Sequence, residues 1–265
     1  MQQLTAMFKR RPDTVNQPDS AQAGSRWNMR RAVRIAKVGL VLVLVLAAAF
    51  GLLFVITPSA GQATSIVEKI AAEHHISYPG PQVPTLFADA LVATEDHRFY
   101  SNPGVDVFAM MRVGIAKAGG RQDQGGSTIY QQLAKMLYTP GGGGFASVTE
   151  DVVLAVKLRQ TYTPDQVLRM YSLVAYYGHG YYGLEQASCG YFGHPAARLT
   201  LVQAAMLAGA VNAPTFDDPL TYPKQARARL VHVLSRMRAV GYLTPSEEQQ
   251  ALNTPLDLSP VRGCG

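Results

Sequence analysis

Residues 94–106 read TEDHRFYSNPGVD, an acidic pair that follows the apolar segment LFADALVA and precedes a Pro-Gly turn. On a helix, Phe87, Leu91 and Glu95 recur every four residues, so Glu95 continues a stripe that should face the core. Burial disfavours the charged form of a carboxylate and suits it to proton transfer near neutral pH. Glu95 is therefore a candidate catalytic residue, although a surface ion pair with Arg98, one turn on, fits the same spacing.

A second pair of carboxylates lies in SVTEDVVLAVKL, residues 147–158. Ser147 and Glu150 have the spacing of a capping box, in which Glu150 would bond back to the Ser147 amide. Asp151 falls on the apolar face of the predicted helix, and an acidic residue in a first turn also complements the helix dipole. The pattern leaves both a structural and a catalytic role open for Asp151.

Between these two segments, residues 125–137 read GGSTIYQQLAKML. Two glycines precede a Ser-Thr cap, and the helix that follows carries Gln131, Gln132 and Lys135, which have amide and ammonium donors. Backbone N–H groups at the helix start, with the Lys135 ammonium near them, could hold phosphate oxygens. This segment is the candidate anion-binding part of the site.

The chain beyond residue 56 has a mainly helical pattern. Seven segments carry apolar residues at three- and four-residue spacings, namely 87–95, 106–119, 127–138, 147–160, 164–177, 199–211 and 223–241. No sustained period-two run occurs, so we predict a mainly α domain. The four glycines from Gly141 predict either a flexible connector or a loop that closes over a substrate.

Residues 38–56, VGLVLVLVLAAAFGLLFVI, are 19 consecutive uncharged residues, about the length of helix that spans a ~30 Å hydrocarbon core. They predict a transmembrane anchor rather than a cleavable signal, whose apolar region is ~7–15 residues long. Eight basic and two acidic side chains precede residue 38, so the positive-inside rule places the N-terminus in the cytoplasm. These ten charged residues account for the whole net charge of +6. The chain from residue 38 onward is therefore neutral, and no nucleic-acid partner is expected.

Taken together, these segments resemble the glycosyltransferase family 51 domain, the peptidoglycan glycosyltransferase of penicillin-binding proteins and of monofunctional transglycosylases. The family's first motif, E-D-x-x-F-x-x-H-x-G, is matched by EDHRFYSNPG at 95–104, with Asn102 in place of the histidine. The second motif, G-x-S-T-x-x-Q-Q-x-x-K, is matched throughout by residues 125–135. The resemblance covers about residues 70–255 and implies a mainly α, lysozyme-like transglycosylase domain behind a single N-terminal transmembrane helix.

The third region of the family is kept in frame but changed at several polar positions. Ser147 and Val148 stand where the family has a basic pair, and Asp151 aligns with a glutamate. Arg169 replaces a glutamate, and Leu173 replaces an asparagine. These departures favour a catalytically weakened protein, and Lys157 or Arg159 could replace the lost charge.

The resemblance implies a reaction and a set of residues for it. The C4 hydroxyl of an acceptor GlcNAc would attack C1 of a donor MurNAc, which joins lipid II units and releases undecaprenyl pyrophosphate. By resemblance Glu95 is the base and Asp151, with Glu150 as second choice, is the other catalytic carboxylate. The substrate-binding residues implied are Asp96, Phe99, Ser127, Thr128, Gln131, Gln132, Lys135 and Glu150. A divalent cation, Mg²⁺ or Mn²⁺, could bridge carboxylate and pyrophosphate; no other cofactor is expected.

The partners implied are lipid II, the nascent glycan chain, the membrane and other cell-wall synthesis proteins, at the bacterial inner membrane. The apolar residues Phe108, Met110, Met111 and Ile115 could enter the bilayer surface or pack under the catalytic lobe. The expected organisation is a basic cytoplasmic tail (1–37), an anchor (38–56), a linker (57–70), a peptidoglycan glycosyltransferase domain (71–255) and a tail (256–265), with no transpeptidase domain.

Two further expectations concern the cysteines and the competing functions. Cys189 and Cys264 are far apart in sequence, and Cys264 belongs to a Gly-Cys-Gly tail, so we predict no disulfide.

Besides an active glycosyltransferase, the sequence allows a lipid II-binding scaffold without activity. It also allows a carbohydrate hydrolase that uses Glu95 as acid, against which the Ser-Thr-Gln-Gln-Lys motif argues.

Overall fold

The computed structural model describes residues 20–120 and 126–260. Residues 1–19 of the expected cytoplasmic tail, Gly125 of the second motif and Cys264 lie outside the described residues. The chain divides into two compact units, Met1–Leu52 and Leu53–Gly265.

The first unit contains most of α1, the helix Ser20–Ile56. Among the described residues this is the one helix long and apolar enough to cross a membrane, and its apolar window is wholly exposed. An exposed apolar surface of this length is expected to lie in an apolar environment. The prediction of a single long apolar helix near the N-terminus is confirmed.

The second unit is helical, which confirms the prediction of a mainly α domain. All seven predicted segments form helices, and the described residues contain no β-strand beyond an isolated bridge between Tyr176 and Tyr182. The α-helices described in this unit are α2 (Ala63–Glu73), α3 (Thr85–Glu95), α4 (Val107–Ala118), α5 (Ile129–Tyr138), α6 (Phe145–Thr161), α7 (Pro164–Val174), α8 (Leu184–Phe192), α9 (Leu201–Ala210), α10 (Pro223–Ala239) and α11 (Pro245–Asn253).

Three of these helices, α2, α8 and α11, do not follow from the apolar spacing of the sequence. They have only 11, 9 and 9 residues, and short segments give weak periodicity. Helix α2 lies largely within residues 57–70, the expected linker, yet its residues Ala63 and Val67 are fully buried. Residues before 71 therefore already contribute to the core of the second unit.

Threonine capping boxes begin four of the helices. In each, the threonine hydroxyl accepts from the backbone N–H three residues on, and the Gln or Glu there accepts from the threonine N–H. This satisfies two of the backbone donors that a helix start leaves free. The four capping residues are Thr128, Thr163, Thr200 and Thr244.

The capping box predicted from Ser147 and Glu150 is wrong. Gly144, with φ of 92°, is the N-cap residue, so α6 begins at Phe145 and Ser147 lies inside its first turn. The Ser147 hydroxyl donates to the Gly144 carbonyl oxygen at 3.3 Å. Glu150 therefore lies in the second turn, where the capping role is not available to it.

Helix α9 lies at the centre of the second unit. Its residues from Val202 to Ala210 are all buried, and it packs against α3 and α10. Phe87 and Leu91 of α3 have no exposed surface, which confirms that the stripe ending at Glu95 faces the core. Helix α3 also packs against α10, and α5 packs against α6 and α7.

The C-terminal segment returns to α8. The Ser259 N–H donates to the Tyr191 carbonyl oxygen at 2.9 Å, and Cys189, two residues earlier on α8, is disulfide-bonded. The prediction that no disulfide forms is therefore wrong. It rested on a frayed tail, whereas the chain up to residue 260 is described and runs past α8.

The loop that follows α3 is held against α6. Gly104 in this loop has φ of +104°, and a Cβ atom there would lie 2.5 Å from the Ala155 carbonyl oxygen. The left-handed backbone and the close approach of α6 each require a glycine at this position.

We expect Gly104→Ala to lower the free energy of unfolding by about 2–5 kcal/mol, since left-handed backbone costs ~1–2 kcal/mol and overpacking costs ~1–3 kcal/mol. Gly143→Ala is the matched control, because nothing lies within 4 Å of the added Cβ and the backbone is not left-handed; its effect should stay within about 1 kcal/mol. Thermal or denaturant unfolding of the full chain in detergent measures both variants. Equal stability of the two would contradict this account of the loop.

Candidate active site

Glu95 is the last residue of α3, and its side chain is only 8% exposed. Arg229 of α10 donates through Nη2 to Glu95 Oε1 at 2.7 Å. Gln132 of α5 donates through Nε2 to Glu95 Oε2 at 2.9 Å. The alternative ion pair with Arg98 is wrong, because the Arg98 guanidinium donates to Asp106 at 2.8 Å.

The two partners of Glu95 are themselves held in place. The Tyr171 hydroxyl of α7 donates to Gln132 Oε1 at 2.8 Å, which leaves the Gln132 amide N–H₂ group for Glu95. Arg229 Nε donates to the Gly209 carbonyl oxygen at 3.1 Å. Burial, and then the charge of Glu95, raise the pKa of Tyr171, so its hydroxyl remains a donor. The orientation of the Glu95 carboxylate is therefore set by α5, α7 and α10.

A cleft of about 230 Å³ opens beside Glu95. It is bounded by the end of α3 and the loop after it, by α4, by the start of α5 and by α10. The sequence-predicted site residues that line it are Glu95, Asp96, Ser127 and Thr128, and its basic side chains are His97, Arg112, His232 and Arg236. The two arginines of this lining suit a polar substrate that carries negative charge.

Asp96 is 5% exposed and is bonded within the protein. Its carboxylate accepts from Asn102 Nδ2 at 2.9 and 3.0 Å and from the Ile129 N–H at 3.2 Å. Asn102 Oδ1 in turn accepts from the Gly104 N–H at 2.9 Å. Burial raises the pKa of Asp96 to about 6. These bonds tie the loop after α3 to the start of α5, and Asn102 supplies the donor and the acceptor that link them.

The start of α5 is held to the same loop by Thr128. Its hydroxyl donates to the Gly104 carbonyl oxygen at 2.6 Å, and its N–H donates to Gln131 Oε1 at 2.8 Å. The Gln131 side chain therefore closes the helix cap, whereas Gln132 reaches Glu95. Phe99 has no exposed surface and stacks on Tyr130 at 4.8 Å between ring centroids, so it packs in the core.

Asp151 lies on α6 and is 8% exposed. Its Oδ1 accepts from the Thr139 hydroxyl at 2.6 Å. Burial raises the pKa of Asp151, and the hydrogen bond from Thr139 and then the positive charge of Lys135 oppose that shift. Neither residue belongs to the described lining of the cleft beside Glu95. Glu150, partly buried, lies next to Asp151 on α6.

Comparisons with known proteins show the family of the chain. The family model described as Transglycosylase matches residues 63–238. The chain belongs to the transglycosylase family, glycosyltransferase family 51. It is 35% identical over 198 residues to a Cupriavidus necator protein named as a candidate transglycosylase, and the match covers 74% of this chain and 86% of that protein.

Penicillin-binding proteins are among the other relatives. The chain is 38% identical over 176 residues to penicillin-binding protein 1A of Aquifex aeolicus, which is 66% of this chain and 24% of that protein. A crystal structure of penicillin-binding protein 1A from Haemophilus influenzae matches 68% of this chain and 17% of that chain, with 22% identity and a TM-score of 0.40. The transglycosylase thus spans less than a third of the penicillin-binding proteins it resembles. The family supports a peptidoglycan transglycosylase function, and the N-terminal apolar helix indicates a membrane-anchored protein.

Lys157, which could replace the family's basic pair, is engaged elsewhere in the structure. Lys157 Nζ donates to the Thr57 and Pro58 carbonyl oxygens at 2.9 and 3.0 Å, and it lies 5.0 Å from the centroid of the Phe54 ring. Its charge is therefore engaged by residues 54–58. Arg159 Nε is buried without a hydrogen-bond partner.

A site made of protein side chains alone, which could hold a divalent cation, is not found in the described part of the chain. No group of three His, Cys, Asp or Glu side chains there could hold a metal ion. The Asp96 carboxylate already accepts from Asn102 and Ile129. A cation that bridges one carboxylate and the substrate's pyrophosphate needs fewer protein ligands, and its presence stays a prediction.

Helix α10 supplies the site residues that sequence analysis misses. Arg229, His232 and Arg236 fall at i, i+3 and i+7, which places them on one face of the helix. This spacing is visible in the sequence, but it does not show what the face contacts. Arg229 and Glu95 are 134 positions apart, so only the tertiary structure pairs them.

We expect Arg229→Met to lower the free energy of unfolding by about 3 kcal/mol, because Glu95 would keep a buried charge without its partner. Arg229→Met with Glu95→Gln should recover most of the loss. Arg238→Met on the same helix is the control: Arg238 pairs with Glu248 but is 46% exposed, so the expected loss is under about 1 kcal/mol. Thermal unfolding of the full chain measures all variants, and additive effects of Arg229→Met and Glu95→Gln would contradict the pairing.

Proposed function

We propose that this transglycosylase polymerises lipid II into glycan strands and releases undecaprenyl pyrophosphate. The observation that carries the proposal is Glu95, a carboxylate that lies at the edge of a basic cleft and is held through both oxygens. Glu95 takes the proton of the acceptor C4 hydroxyl while that oxygen attacks C1 of the donor. The bond from C1 to the diphosphate breaks, and its electron pair leaves with the diphosphate, with inversion at C1.

The partners of Glu95 support its role as the base. The Arg229 cation lies 2.7 Å from Oε1 of the carboxylate and fixes that oxygen. The Gln132 amide fixes the second oxygen, so the carboxylate is oriented before the substrate arrives. Such preorganisation supplies a large part of the rate enhancement in sites of this kind.

Asp151 and Lys135 are the second part of the proposed site. Lys135 holds phosphate oxygens of the donor, and Asp151, held by Thr139, stands in for the family's second carboxylate. Ser127 and Thr128 present the start of α5 to the substrate, and Glu150 is the alternative to Asp151. Because Asp151 is one methylene shorter than glutamate and the basic pair is absent, the proposed activity is lower than that of a transglycosylase with the full third motif.

The membrane supplies the lipid-linked substrate in this proposal. Phe108, Met111 and Ile115 of α4 are 74%, 59% and 71% exposed, which supports the placement of this face in the bilayer surface. The basic residues before the anchor support an N-terminus in the cytoplasm and a catalytic unit on the far side of the inner membrane. Other cell-wall synthesis proteins are proposed partners.

A lipid II-binding scaffold without activity is the second candidate. The observation that favours it is the missing basic pair on α6, where Val148 is apolar and 56% exposed. The cleft beside Glu95 would then still bind the substrate, but the leaving group would lack its stabilising charge.

A gel assay of labelled lipid II with the full chain in detergent distinguishes the active glycosyltransferase from the inactive scaffold. We expect polymer from the wild type, a loss of at least about 10²-fold with Glu95→Gln because the base is gone, and a gain with Asp151→Glu. Glu68→Gln, the same substitution at an exposed position of α2, should keep full activity. Lipid II binding without polymer from the wild type would favour the scaffold, and polymer from Glu95→Gln at the wild-type rate would remove Glu95 from the mechanism.

A further inference from the structure

The cleft beside Glu95 contains a histidine that the reaction described above does not use. His232 lies on α10, one turn after Arg229, and lines the same cleft as Glu95. His232 is exposed, whereas the Glu95 side chain is only 8% exposed. His232 is therefore a titratable group that both the cleft and the solvent can reach.

The proposed reaction leaves Glu95 with a proton that it has to lose. After each transfer the proton of the acceptor hydroxyl is on Glu95, and the protonated carboxyl cannot act as a base again. Its direct partners cannot take the proton, because the Arg229 guanidinium is already protonated and the Gln132 amide group that faces Glu95 is a donor.

We infer that His232 takes this proton from Glu95 after each transfer and passes it to water, which resets the base. The neutral imidazole accepts the proton, directly or through one water molecule in the cleft, and the imidazolium then releases it to solvent. The inference rests on the proposed function and adds a residue to it. His232 acts through Glu95 and does not act on the sugar.

The surroundings of His232 keep it in the form that can accept a proton. Burial, and then the charges of Arg229 and Arg236, lower the pKa of His232, and Glu95 opposes that shift. The lowered pKa favours the neutral imidazole, which is the form that can accept a proton, and this ability is lost as the pH falls through that pKa. The other titratable or charged residues that line the cleft are Asp96, His97, Asp106 and Arg112.

His97 is the other histidine of this cleft, and its surroundings differ. Burial, and then the charges of Arg98 and Arg236, lower the pKa of His97. His97 lies on the loop after α3, whereas His232 lies on α10 one turn after Arg229, which holds the Glu95 carboxylate. The arrangement therefore assigns the proton transfer to His232.

The test measures lipid II polymerisation by the full chain in detergent between pH 5.5 and pH 8. At pH 7.5 we expect His232→Gln to lower kcat about tenfold with KM unchanged, less than the ~10²-fold or more of a direct acid–base residue. The difference from wild type should shrink as the pH falls, because a protonated His232 cannot accept a proton from Glu95. Added imidazole should restore kcat in His232→Ala, which a purely structural role for His232 would not allow.

His194→Gln is the matched control, because His194 lies on the loop after α8 with Nδ1 3.1 Å from the Pro195 carbonyl oxygen; its kcat should equal that of the wild type at every pH. A wild-type pH profile in His232→Gln, no rescue of His232→Ala by imidazole, or the same pH-dependent loss in His97→Gln instead would each overturn the inference. If the wild type gives no polymer at any pH, the proposed function fails and the inference falls with it. Polymer from the wild type with an unchanged His232→Gln overturns the inference alone.

Discussion

The ion pair between Glu95 and Arg229 is the constraint on which the rest of the site depends. The apolar stripe of α3 carries Glu95 into the interior, where an unpaired carboxylate would be costly. Arg229 and Gln132 offset that cost with one donor to each oxygen. Because the donors come from α10 and α5, the positions of three helices are coupled to the orientation of one carboxylate, and the cleft opens where those helices meet.

The loop after α3 is a second structural constraint on the site around Glu95. Asp96, Asn102 and Thr128 tie it to the start of α5, and Gly104 allows it to approach α6. Asn102 stands where the family's first motif has a histidine, yet its amide donates to Asp96 and its carbonyl oxygen accepts from Gly104. A neutral histidine also offers one donor and one acceptor, so the exchange retains the hydrogen-bonding capacity that holds the loop while it removes a titratable group.

The sequence predicts what depends on local spacing and misses what depends on distant contacts. The seven apolar segments predict helices, and the four-residue spacing of Phe87, Leu91 and Glu95 predicts a buried carboxylate. The spacing does not identify its partner, since Arg98 is near in sequence and Arg229 is not. The second motif does not distinguish the roles of Gln131 and Gln132. Adjacent helical residues point ~100° apart, so Gln131 closes the helix cap and Gln132 binds Glu95. The predicted cap at Ser147 fails because Gly144 starts the helix earlier.

The central claim is that Glu95 receives the proton of the acceptor hydroxyl. The most direct measurement is a crystal structure of Glu95→Gln, which cannot turn the substrate over, with lipid II bound in the acceptor position. The account predicts the C4 hydroxyl of the terminal GlcNAc within hydrogen-bond distance, about 2.6–3.2 Å, of the substituted side chain at position 95. A C4 hydroxyl bonded to Asp151 instead, with the residue at position 95 still paired only with Arg229 and Gln132, would contradict it.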